Sequence, residues 1–68
     1  MQLSTRNQLK GTIKDIKKGP VSTEVTVEVA GQVMVVASIT SGSADTMGLK
    51  IGDDVLALVK ASSVMIAK

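Results

Sequence analysis

Between Val21 and Val29 the chain alternates without a break. Val21, Thr23, Val25, Val27 and Val29 share one parity, and Ser22, Glu24, Thr26 and Glu28 share the other. This is the period-two pattern of a strand with one apolar face, and it commits the centre of the chain to a sheet. The neighbouring segments agree. Upstream, Leu9 and Ile13 stand among Lys10, Thr12 and Lys14 over residues 8–16, with Gly11 allowing a bulge or a close backbone approach. Lys17-Lys18-Gly19-Pro20 ends that first strand, because Pro20 cannot donate to a ladder. Downstream, Ala30-Gly31-Gln32 supplies a turn and residues 33–39 form a continuous apolar run. Such a run suits a strand covered on both faces, one by the core and one by a subunit contact.

At Thr40-Ser41-Gly42-Ser43 the texture turns hydroxyl-rich, and residues 43–48 read as a short helix. Ser43 is its expected N-cap, Asp45 sits in its first turn, and Gly48 takes the C′ position. Residues 49–54 form a loop, 55–59 a fourth strand, 61–63 a turn, and 64–67 a fifth strand. The expected fold is all-β: a five-stranded Greek-key barrel of OB type, with one short helix between strands 3 and 4. Residues 1–68 form a single domain without an internal repeat.

A 68-residue chain buries only about 60% of the surface it exposes when unfolded. Small domains of this kind need a staple. There is no Cys and no His, so neither a disulfide nor a structural zinc site is available, and self-association is the remaining candidate. The apolar 44% contains no Phe, Trp or Tyr. Without aromatics, a nucleic-acid-binding OB module loses its stacking platform, and a net charge of +2 does not demand such a partner. The lysines of residues 14–18 read as a solvated strand end. No apolar h-region follows Met1-Gln2-Leu3, and no run approaches the length of a membrane span. The expected location is cytoplasmic, with no membrane partner. Catalysis would have to rest on Ser62 with Lys60, or on Asp53 and Asp54 after Gly52. Those acids are ordinary turn residues, and no enzyme is expected.

The remaining chemistry lies at the two ends. Ser4-Thr5-Arg6-Asn7-Gln8-Leu9-Lys10-Gly11 gathers hydroxyls, a guanidinium and an amide, with no carboxylate before Asp15. These groups donate to an oxyanion and do not repel it. Together with Lys60-Ala61-Ser62-Ser63-Val64-Met65-Ile66, this stretch resembles the S-x-R-N-Q-L-K-G opening and K-[AS]-[ST]-x-V-M close of the molbindins, or Mop proteins. The likeness covers nearly the whole chain, at the spacing of a single-repeat member. It implies storage and homeostasis of molybdate, and of tungstate, at sites between subunits of a hexamer built as a trimer of dimers. Molybdenum would be held as its oxyanion and not by direct ligation, with no cofactor. Carried over by position, Ser4, Arg6, Lys60 and Ser62 surround the oxyanion, and the backbone near Thr5 and Ala61 adds N–H groups. Thr40 and Ser43 match the T-x-x-S of the regulator-type domains, ahead of the short helix.

Taken singly, the same residues have plainer readings. Ser4 and Thr5 are terminal residues, Arg6 suits a surface ion pair, Lys60 a solvated strand end, and Thr40 and Ser43 turn and capping positions. Thr5 stands where the family commonly has Ala, Pro20 and Thr23 depart from it in the first hairpin, and Gln32 replaces part of a Gly-rich turn. A molybdate-sensing regulatory or interaction domain is the alternative function.

Overall fold

The computed structural model describes residues 6–68. Its elements are strands β1 (Asn7–Lys18), β2 (Ser22–Val29) and β3 (Val33–Thr40), helix α1 (Ser41–Met47), strand β4 (Asp54–Val59) and a 3-10 turn over Ala61–Ser63. All pairings are antiparallel, in the order β3-β2-β1-β4. Three strands meander, and the fourth returns through α1 to lie beside the first, which is the Greek-key order.

β1 organises the sheet by pairing on both sides. Its first half, Asn7 to Thr12, pairs with β4, and Gly11 to Lys18 pair with β2. The ladder toward β4 extends into the preceding loop, where Ile13 N–H donates to Asp53 O at 3.0 Å and Gly52 N–H to Ile13 O at 2.8 Å. Where the two pairings overlap, the chain needs both a kink and a close approach. The register shift falls between Ile13 and Asp15, so the bulge sits at Lys14. Gly11 supplies the close approach instead: a Cβ there would stand 2.6 Å from Glu28 O and 2.5 Å from a Val27 methyl.

The core follows the parity of β2. Ile13, Val25, Val27 and Val29 are buried, with Ile16, Val35, Ile39, Leu49 and Val55 packed against them. Thr23 belongs to the same buried face, whereas Val21 lies in the turn before β2 and is 78% exposed. Aliphatic β-branched side chains fill a small curved sheet without aromatic bulk. The edges β3 and β4 are not paired with each other. Between them lies an apolar cavity of about 430 Å³, floored by Ile13, Val25 and Val27 and flanked by Val36, Leu56 and Leu58.

Two expectations change. Four strands are present among the described residues, and residues 64–67 form no strand within the chain. Met65 and Ile66 are 92% and 89% exposed, since an extended segment needs a neighbouring edge to satisfy its backbone. The helix begins earlier than expected, at Ser41, with Thr40 and not Ser43 as its N-cap. Within the chain β3 packs Val35 and Ile39 against the core, while Met34 and Val36 on its other face are exposed, as is Val33 at its start. At its far end α1 closes as expected, with Gly48 in the left-handed conformation (φ 62°).

Candidate functional site

β1 begins where β4 ends. Asn7 pairs with Val59, and its side-chain Nδ2 donates to Val59 O at 3.1 Å. Arg6, just before β1, and Lys60, just after β4, therefore flank the same paired end. Both side chains are exposed. The ion pairs among the described residues are Lys14–Glu28 and Lys18–Asp45, so neither Arg6 nor Lys60 is neutralised there. Two neighbouring cations without a counter-charge repel each other, and an anion between them relieves that repulsion.

Lys60 leads directly into the 3-10 turn. Ser63 N–H donates to Lys60 O at 2.8 Å and Val64 N–H to Ala61 O at 3.3 Å. The N–H groups of Ala61 and Ser62 open this turn and have no acceptor within it. Both residues are exposed, as is the Ser62 hydroxyl. This corner thus offers a guanidinium, an ammonium, a hydroxyl and two backbone donors. Ser4 and Thr5 fall outside the described residues.

Thr40 and Ser43 form a second group, at the end of β3. Thr40 Oγ1 accepts from Ser43 N–H at 3.1 Å and donates to Ser43 Oγ at 2.8 Å. Its capping role is thereby filled, while the Ser43 hydroxyl keeps its own proton to donate. The structure brings Arg6 to Lys60, and Thr40 to Ser43. It places the two groups on different edge strands, and no hydrogen bond joins them among the described residues. Of the acids considered for catalysis, Asp53 Oδ2 accepts from Lys50 N–H at 2.9 Å and Asp54 Oδ1 from Thr12 Oγ1 at 3.3 Å. Asp53 is thus committed to the loop before β4, and Asp54 to the β1–β4 pairing.

A buried hydroxyl pair escaped the sequence reading. Ser41 Oγ donates to Gly19 O at 2.6 Å, so the 2.8 Å contact with Thr23 has Thr23 Oγ1 as donor. Ser41 N–H also donates to Val21 O at 2.9 Å. These bonds lash the first hairpin turn to the start of α1 and hence to Thr40 and Ser43. The parity of β2 pointed Thr23 inward, but nothing local names a partner 18 residues away. Ser41→Ala leaves buried Thr23 and the Gly19 carbonyl without that partner. It is expected to cost about 1–3 kcal/mol, read as a fall in Tm on thermal unfolding.

The family comparison fits this geometry. Residues 3–66 match the model of the TOBE domain. Molybdenum-pterin-binding protein 2 of Clostridium pasteurianum is 42% identical over 66 residues, covering 97% of this chain and 97% of that protein. The chain belongs to the Mop family of TOBE domains. Among solved structures of this family, the molybdate binding protein of Sporomusa ovata superposes with a TM-score of 0.95 at 38% identity, over the whole of both chains. MopII of Clostridium pasteurianum gives 0.93 at 40% identity, over 98% of this chain and all of that one. The match to the molybdenum transport protein ModE of Herbaspirillum seropedicae is 44% identical but spans only 24% of that protein's length. Among the described residues of this Mop-family chain, no helix is long and apolar enough to cross a membrane.

Proposed function

We propose that the protein binds molybdate, and tungstate as an isosteric dianion, for intracellular storage and homeostasis, and that it is not an enzyme. One observation carries the reading: Arg6 and Lys60, exposed and unneutralised among the described residues, are held at one paired strand end in a chain that aligns throughout with proteins named for molybdate. A tetrahedral dianion has no proton to give, so its site must supply donors and positive charge. Arg6, Lys60, Ala61 and Ser62 supply these at one corner, Ser4 and Thr5 carry the same donor chemistry in sequence, and Thr40 and Ser43 complete the shell from a neighbouring copy. For five heavy atoms, a ceiling of about −1.5 kcal/mol per atom gives roughly −7.5 kcal/mol, on the order of micromolar. That affinity suits buffering inside a cell. A cytoplasmic location is also supported by a structural relative described as the cytoplasmic molybdate-binding protein ModG, matched at a TM-score of 0.85.

In this reading the sites lie between copies of a homo-oligomer, a hexamer arranged as a trimer of dimers. The exposed Val33, Met34 and Val36 and the apolar cavity between β3 and β4 are surfaces that association would cover. The segment 64–67 would then find its edge and complete a five-stranded closed barrel. Removing residues 64–68 is expected to convert the oligomer to smaller species. Native mass spectrometry with and without molybdate tests both points. A multiple-subunit mass that retains molybdate, and is lost on truncation, supports the reading; a molybdate-free monomer contradicts it.

The ModE match supports a second reading, in which the same domain senses molybdate for a partner. A stable heterologous protein that co-purifies and dissociates on adding molybdate would favour it.

A further inference from the structure

Asn7 belongs to the polar lip, and its amide is engaged within the fold. Nδ2 donates to Val59 O at 3.1 Å, across the last rung of the β1–β4 ladder. Strand ends fray most readily, because their outermost rung has a neighbour on one side only. This end bears an added load: Arg6 and Lys60 leave it in adjacent positions, and among the described residues neither cation has an acidic partner. Their mutual repulsion is strongest with no anion present, when the pair must still be ready to receive one.

We infer that Asn7 is the positioning residue of the oxyanion site. It clamps the strand end against the repulsion of the two cations and so holds Arg6 and Lys60 together before the ligand arrives. This rests on the proposed molybdate site and adds the group that keeps it preformed. This role needs no contact between Asn7 and the anion. Its side chain is half-buried, and the donated hydrogen bond fixes the β4 end immediately ahead of Lys60. A clamp that works against repulsion differs from an ordinary strand-end hydrogen bond in one respect: its value depends on salt and on the second cation.

That dependence supplies the test, carried out on the full-length protein without ligand. Amide hydrogen exchange is followed at the terminal rungs, residues 7–9 and 57–59, with the core amide of Ile13 as internal reference. Asn7→Leu is expected to speed exchange of those rungs about tenfold at low ionic strength, where charges act over about 30 Å, and to leave Ile13 unchanged. The loss should shrink in about 1 M salt, where the screening length is about 3 Å, and again when Lys60→Met is added to Asn7→Leu. Calorimetry should show molybdate binding to Asn7→Leu weakened roughly tenfold. Exchange that rises equally at all salt concentrations, and equally with Lys60→Met present, would reduce Asn7 to a structural strand-end residue and overturn the inference. Equal molybdate affinity in wild type and Asn7→Leu would overturn it too. A wild-type protein that binds no molybdate would instead overturn the functional reading and, with it, the ligand half of the assignment.

Discussion

Replacing Arg6 and Lys60 together with alanine is expected to weaken molybdate binding by roughly a hundredfold or more, with little change in Tm. Each side chain would contribute charge-assisted hydrogen bonds worth about 1.5–3 kcal/mol, and these contributions fall on one dianion. Their structural role is slight by comparison: both are exposed, and neither is ion-paired among the described residues. Relieving their mutual repulsion should even steady the β1–β4 end slightly. Calorimetric titration beside a thermal melt separates the two effects. Unaltered affinity in the double variant would remove both cations from the site.

Gly11→Ala is expected to act in the opposite way, on stability before binding. The added Cβ would sit 2.5 Å from Val27 Cγ1, 2.7 Å from Val29 Cγ1 and 2.6 Å from Glu28 O. Val27 and Val29 are buried core residues, and the carbonyl belongs to the ladder that pairs Thr12 with Glu28. None of these atoms can step aside as a solvent-exposed side chain would. The strain is about 1–3 kcal/mol or more, a large share of what a chain of this size holds in reserve, at about 0.05–0.15 kcal/mol per residue. A fall in Tm of about 10 °C or more follows. Gly42→Ala is the control, since a Cβ there meets nothing within 4 Å; inside α1 it should stabilise by about 0.5–1 kcal/mol. Equal behaviour of the two variants would contradict the close approach at Gly11.

β2 was legible from its own periodicity and buried the alternate residues that its parity marks, from Thr23 to Val29, and β3 from its apolar run. The kink in β1 was legible only as a need. Gly11 invited both a bulge and a close approach, and the fold used Gly11 for contact and Lys14 for the bulge. Capping was ambiguous for a simple reason: Thr40 and Ser43 are both hydroxyl residues three apart, and only the backbone decides which precedes the first helical turn. The segment 64–67 has a strand-like composition, but a strand exists only against a partner, and the single chain offers it none. At the site, the pairing of chain ends followed from the β1–β4 register, which no local pattern encodes. Both cations were nominated from the sequence; the Asn7 clamp beside them became visible only with that register.

Arg6 and Lys60, unneutralised among the described residues, would form a cation pair suited to a tetrahedral dianion. The most direct measurement is a calorimetric titration of the oxyanion-free protein with molybdate, run beside sulfate in a buffer without phosphate. With no Trp or Tyr in the chain, protein concentration must be set by amino-acid analysis. Saturable molybdate binding at micromolar affinity or tighter is expected, with sulfate bound much more weakly. A flat molybdate titration of folded, oligomeric protein would contradict it.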